Sequence, residues 1–213
     1  MSVGEMFTQE FWDDRYGGSG HVWSGNPNPQ LLAYGSRLTA GSALDVGCGE
    51  GADAIWLAAR GWIVTGVDIS PVGLERAAAH AAAASEAIAA RIEWCRADLF
   101  ADDFEPFGAF DLVSSHYLHL PPAVRERAIG RLASAVLPGG SLLVVQHHPL
   151  DLEVPGLRPN LPELFCTAAN LADLLDPAGW EIVAADPARR GVRRRDGELV
   201  IAHDAVLHAR RRD

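Results

Sequence analysis

Two carboxylates, Asp45 and Glu50, border three glycines at alternate positions, Gly47, Gly49 and Gly51. Glycines in that spacing let main chain approach a ligand with no side chain in the way. The apolar run Ala43-Leu44-Asp45-Val46 leads into them, and Ala54, Ile55, Ala58 and Ala59 follow at helical spacing. The pattern is strand, tight turn, helix. In open α/β sheets a ligand sits beyond the C-terminal end of such a strand.

The charge of the ligand is the first decision. Gly47-x-Gly49-x-x-Ala52 also fits the dinucleotide fingerprint, which seats a pyrophosphate on a helix N-terminus. Asp45 and Glu50 would repel that dianion. S-adenosylmethionine (SAM), with an ammonium, a sulfonium and no phosphate, reverses the objection, because close opposite charges interact on the kcal/mol scale. A second acid ends the next apolar run, Ile63-Val64-Thr65-Gly66-Val67-Asp68. Asp68 lies about 20 residues after Gly47, the offset at which an acid meets a ribose diol. A carboxylate suits that task because it accepts two hydroxyl hydrogen bonds.

Histidines supply the groups able to move a proton: His116, His119, His147 and His148. Imidazole titrates in the useful range. His116, at the end of the expected fourth strand, is the first candidate for a general base, and His147, after the fifth, is the second. A metal set built from His116-x-x-His119 and His147-His148 lacks Cys or carboxylate partners at recognisable spacing and is rejected.

Leu44-Asp45-Val46-Gly47-Cys48-Gly49-Glu50-Gly51, with Val67-Asp68-Ile69-Ser70, resembles the Rossmann-like, class I SAM-dependent methyltransferases. Phe110-Asp111-Leu112-Val113 and Leu137-Pro138-Gly139-Gly140-Ser141-Leu142 resemble that family's later motifs. The resemblance covers roughly residues 40–210. It implies an α/β fold, a seven-stranded, mostly parallel sheet with helices on both faces and an antiparallel C-terminal hairpin. It also implies SAM as cofactor and S-adenosylhomocysteine as product. Asp45 would orient the ammonium, the Gly47–Gly51 backbone would underlie the methionine part, and Asp68 would bind the ribose. Ile69 and Leu99 would sandwich adenine, Asp98 would hold its amino group, and Ser114 would line the site. Amino-group methylating enzymes often carry Asn/Asp-Pro-Pro-Tyr/Phe after strand four. Ser114-Ser115-His116-Tyr117 stands there instead, which argues against adenine or glutamine amide as acceptor.

Phe11-Trp12-Asp13-Asp14-Arg15-Tyr16, followed by Trp23, is similar to the start of thiopurine- and tellurite-resistance-type methyltransferases, whose N-terminal aromatics cover the methionine end of SAM. The similarity implies a lid in which Trp12 and Trp23 close over the cofactor, with Gly17-Gly18 as hinge. It favours a soft, polarizable acceptor such as a thiol. A thiol is a few per cent ionised near neutrality and needs little help from a base. For in-line displacement the main contribution is positioning, on the order of 7–11 kcal/mol at the upper end. S-methylation of a small molecule is the leading expectation. O-methylation, or a SAM-binding protein without turnover, is the alternative.

The supporting elements follow from pattern. A short aromatic helix, including Phe7, Phe11, Trp12 and Tyr16, precedes a glycine hinge; Asn26-Pro27-Asn28-Pro29 turns into a helix over Gln30–Leu38. Helix A runs to about Arg60. Ser70-Pro71 caps helix B, which continues through the alanine-rich stretch with a break near Ser85. Strands are expected over residues 91–98, 109–115 and 141–146, with Leu137-Pro138-Gly139-Gly140 as a turn. Helix D begins at Pro121-Pro122, and residues 167–179 read as helix E. The closing hairpin pairs residues 180–186 with 198–210. Residues 150–166, rich in Pro and Leu, have no regular pattern and are placed to wall the acceptor pocket.

At 213 residues and 48% hydrophobic, the chain suits a globular fold with a full core. The expected division is 1–38 as lid segment and 39–213 as methyltransferase domain. A net charge of -10 disfavours a nucleic-acid surface. Arg189-Arg190, Arg193-Arg194-Arg195 and Arg210-Arg211-Arg212 are read as solvated hairpin loop and tail. No stretch looks fit to span a membrane, the start has no signal-peptide pattern, and three scattered cysteines suit a reducing, cytoplasmic setting. A monomer or homodimer acting on a small molecule is expected.

Overall fold

The computed structural model describes residues 8–101, 108–194 and 197–213. Phe7 of the expected aromatic helix and Arg195 of the arginine cluster lie outside them. The chain forms two compact units. The first holds the described residues up to 101 and residues 110–114; the second holds 108–109 and the chain from 115 onward.

In the first unit, α1 (Gln9–Gly17) is capped by Thr8, whose hydroxyl accepts from the Phe11 N–H. Next comes α2 (Pro29–Gly35), where Asn28 caps and Pro29 occupies the first turn. β1 (Ser42–Val46) is parallel to β2 (Ile63–Asp68), and β2 to β3 (Ile92–Arg96). Between them run α3 (Ala52–Ala59), α4 (Pro71–Ala84) and α5 (Glu86–Ala89). The alanine-rich helix breaks at Ser85, as its sequence suggests. Ser85 is extended at φ -176 and its hydroxyl caps α5 through the Ala87 N–H. β4 (Phe110–His116) starts beside β1, with Ala43 opposite Leu112 and Asp45 opposite Ser114. Leu31, Leu44, Leu57, Trp62 and Val64 make the buried centre.

The second unit continues from β4 into α6 (Pro122–Ser134), β5 (Val136–His147), α7 (Ala168–Ala172), β6 (Trp180–Arg193) and β7 (Leu199–Arg211). β5 and β6 both pair antiparallel with β7. The seven strands have the order β3-β2-β1-β4-β5-β7-β6. The mostly parallel, Rossmann-like α/β sheet with an antiparallel C-terminal hairpin is therefore present.

Three boundaries differ from expectation. Leu137–Gly140 belongs to β5 and is not a separate turn. Gly139 takes φ +74, and arginines of β7 hold the stretch alongside: Arg210 donates to the Gly139 carbonyl at 3.2 Å and Arg211 to that of Val136 at 2.5 Å. Helix α7 stops at Ala172, well short of residue 179. Pro177 has no N–H, and Asp176 folds a turn by accepting from the Ala178 and Gly179 N–H groups. The hairpin is longer than expected, and Arg190 is bound within it, while Arg189, Arg193, Arg210 and Arg212 remain exposed as expected. Arg190 pairs with buried Asp204, Arg193 donates to the Gly197 carbonyl, and Arg194 pairs with Glu198. Residues 150–166 do contain short 3-10 turns, Pro149–Glu153 and Pro162–Leu164. Among the described residues no helix is long and apolar enough to cross a membrane.

Candidate functional site

The first unit assembles the glycine turn, both strand-end acids and the N-terminal aromatics. The Gly47 and Cys48 N–H groups donate to the Val67 carbonyl at 2.8 and 3.0 Å, which fixes the turn to the end of β2. The Gly49 N–H donates to Asp68 Oδ2 at 2.8 Å, and the Ser70 N–H to Oδ1 at 3.0 Å. Asp68 thus orders the turn as well as ending the strand. Burial pushes its carboxyl upward, against those backbone donors, and nearby Asp13 adds to the rise. Asp45, 2% exposed, accepts from the Ser114 hydroxyl at 3.2 Å. Asp45 and Ser114, each expected separately at the cofactor site, are thus in contact.

Glycine is required where the turn is crowded. Gly51 sits at φ +84, and a Cβ there would lie 2.7 Å from the Trp94 ring and 2.8 Å from Ala77 Cβ. Gly49 sits at φ +52, and its Cβ would lie 2.7 Å from the Tyr16 hydroxyl. An L side chain at positive φ adds strain to the clash. Tyr16 therefore faces the turn directly.

Glu50 does something the sequence did not show. Its Oε2 accepts from the Val22 and Trp23 N–H groups at 3.0 and 3.1 Å, while Oε1 pairs with Arg76 at 3.0 Å. Arg76 also donates to the Gly18 and Gly20 carbonyls. One carboxylate thereby ties the N-terminal strap to the glycine turn. α1 is tied down separately, by Asp13 accepting from the Ser70 hydroxyl at 2.5 Å. That bond is the first cause holding the Asp13 carboxyl below its usual range. The ties made by Glu50, Ser70 and Arg76 were not legible in the sequence because their partners lie 26 or more residues away.

Trp12 is half-buried and Trp23 is 47% exposed. Their ring centroids lie 6.3 Å apart, and Trp23 Nε1 donates to the Tyr16 hydroxyl at 3.2 Å. The Arg15 guanidinium lies 5.0 Å from the Trp23 ring and 5.9 Å from Trp12. The aromatic pair already engages a cation. Ile69 is half-buried after β2, and Leu99 is buried after β3. Asp98 is exposed and accepts from the Phe100 N–H at 2.7 Å, an ordinary turn contact.

His116 and His147 belong to the second unit. His116 ends β4, two residues beyond Ser114 on the same strand, and is half-buried. His147 ends β5 inside a ring cluster: Tyr117 at 4.5 Å, His119 at 4.6 Å and Phe165 at 6.1 Å between centroids. Burial lowers the His119 pKa to about 4 and drives that of His147 well below the usual histidine range. Both rings are neutral at ordinary pH, which weakens His147 as a base. Tyr117 takes φ +57, and its hydroxyl donates to Asp204 at 3.0 Å; Arg190 donates to both Asp204 oxygens.

The donor set suits SAM: buried acids beside a bare glycine turn, and aromatic faces that hold a cation. Residues 43–140 match the family described as methyltransferase domain. A 2-heptyl-1-hydroxyquinolin-4(1H)-one methyltransferase of Mycobacteroides abscessus is 31% identical over 71% of this chain and 70% of its own length. The chain belongs to the class I, SAM-dependent methyltransferases. An uncharacterised methyltransferase of Mycobacterium tuberculosis is 40% identical over 60% of each chain, so this methyltransferase spans about three-fifths of that relative. A probable thiol methyltransferase of Arabidopsis thaliana is 27% identical over 81% of this chain and 74% of its own. A solved structure from work on the conversion of a disulfide bond into a thioacetal group during echinomycin biosynthesis is 26% identical. It covers 96% of this chain and 92% of its own, with a TM-score of 0.72.

Proposed function

We propose that this protein transfers the methyl group of SAM to a small-molecule acceptor, with a thiol the favoured class. The observation that carries the cofactor half is the pair of strand-end acids at the turn. Asp45 and Asp68 are 2 and 8% exposed beside main chain at positive φ, a setting hostile to phosphate and suited to a cationic nucleoside. Asp45 and Ser114 hold the ammonium end, Asp68 the ribose and Leu99 one face of adenine. Trp12 and Trp23 present to the sulfonium the faces that now engage Arg15. When bound, SAM supplies an electrophilic methyl on a good leaving group. The protein's part is to align an acceptor with it and exclude water.

Sulfur is favoured over oxygen because a thiol ionises without a strong base. His119 and His147, held neutral by burial, are poor bases. The thiol methyltransferase relative and the thioacetal-forming neighbour point the same way. The hydroxyquinolone methyltransferase relative keeps an ionised hydroxyl as the second reading. We assign His116 to take the proton of a hydroxyl acceptor that arrives un-ionised.

The test is incubation of the full chain with methyl-labelled SAM and a panel of thiols, phenols and carboxylates. Label in a thioether is the expected result. Label confined to aryl ethers moves the assignment to O-methylation. SAM binding with no transfer to any member favours a sensor and overturns the enzyme reading.

A further inference from the structure

Within the second unit, the buried polar atoms that make no hydrogen bond among the described residues include Arg158 Nη2 and His147 Nδ1. Such groups carry a desolvation cost unless a partner meets them. The other charges nearby are already engaged. Arg190 spends its Nε on both oxygens of Asp204, which also accepts from Tyr117. Asp151 accepts from the His203 N–H at 2.7 Å and from Arg158 Nε at a longer 3.3 Å. The spare cationic capacity therefore belongs to Arg158. Arg158 is joined to the ring cluster through Asp151: Asp151 accepts from the His203 N–H, and the His203 carbonyl accepts at 3.0 Å from the N–H of His148, the residue after His147. The Arg158 charge lowers the basicity of both imidazoles, His119 and His147. The wall beside it is planar and polarizable: Tyr117, His119, His147 and Phe165 lie with neighbouring centroids 4.5–6.2 Å apart.

We propose that Arg158, with His147 and its ring cluster, is the acceptor-recognition site, and that it takes a planar acceptor already in its anionic form, an aryl thiolate or the matching aryl oxyanion. The inference rests on the methyltransferase reading and supplies its substrate class. The guanidinium binds the anion by charge-assisted hydrogen bonds, and the rings contact the sulfur and its aromatic body. The acceptor proton leaves to solvent on ionisation, before transfer. The thiolate pair then forms the new S–C bond, while the electrons of the broken C–S bond return to the donor sulfur. The step balances with no protein base, which fits two neutral imidazoles. Arg158 also explains why residues 150–166 matter: the irregular stretch carries the selecting charge.

The probe is para-nitrobenzenethiol, whose thiol and thiolate absorb differently, titrated into the full chain near neutral pH. para-Nitrophenolate and neutral para-nitrotoluene serve as comparators, and SAM affinity is measured separately by calorimetry. Bound thiolate and at least tenfold weaker nitrotoluene binding are expected. Arg158→Met should weaken thiolate about ten- to a hundredfold with SAM affinity unchanged. Arg158→Lys, which keeps a cation beside buried Asp151, guards against misfolding and should fall between. Comparable binding of nitrophenolate broadens the site to both anions; weaker binding commits it to sulfur. Nitrotoluene binding as tightly as thiolate, or wild-type thiolate affinity in both variants, overturns the proposal. If wild type fails to bind SAM yet holds thiolate through Arg158, the methyltransferase reading fails and the anion site stands.

Discussion

Asp68 carries two loads that the sequence shows as one. As a strand-end acid it matches ribose recognition, yet in the fold it also accepts from the Gly49 and Ser70 N–H groups. Asp68→Ala should therefore lower SAM affinity at least tenfold in calorimetry and also cost about 1–3 kcal/mol of stability by leaving those donors without a partner. Unchanged SAM affinity in a folded variant would remove Asp68 from the cofactor site. The histidines make a pH prediction. His119 has its pKa lowered to about 4 by burial, from an ordinary value near 6.5, and His147 is lowered further. The unfolded chain then binds more protons than the folded one below pH about 6.5, so stability falls as pH drops from there toward about 4. The slope should approach about 1.4 kcal/mol per pH unit for each such histidine. Chemical denaturation at several pH values measures it, and His119→Asn should flatten the curve.

At the scale of elements, the strap from α1 through Trp23 depends on a few polar ties to the glycine turn. Glu50 accepts from two of its N–H groups and pairs with Arg76, which grips two more strap carbonyls. Glu50→Gln should leave the sheet intact but loosen residues 18–24, seen as faster amide exchange confined to that stretch. Uniform exchange as in wild type would show that the aromatic contacts suffice. Gly49→Ala places a Cβ against Tyr16 at positive φ. It should cost about 1 kcal/mol or more in denaturant unfolding and shift Trp23 fluorescence as Tyr16 moves. The Ser85 break, the Ser70 cap and the strand ends were legible because each is local chemistry: a hydroxyl, a proline, a β-branched run. The extent of β5 and α7 was not, because arginines from β7 stretch the first and an Asp-Pro turn ends the second.

For the whole molecule, the fold class and cofactor are linked by mass action. SAM at a hundredfold excess over its Kd should stabilise the protein by about 2.7 kcal/mol, visible as a rise in Tm, whereas NAD should produce none. A rise with NAD and not with SAM would reverse the ligand assignment.

Alternating glycines, bracketing acids and strand-end Asp68 sufficed to indicate a parallel α/β sheet and a cationic nucleoside, because each acts over a turn or less of chain. Tertiary structure alone assigned Glu50 to the strap, placed Tyr16 against Gly49 and paired Arg190 with buried Asp204. It also joined Arg158, through Asp151 and His203, to the end of the strand that carries His147. Those outcomes depend on burial and on partners distant in sequence, and neither quantity exists until the chain has packed.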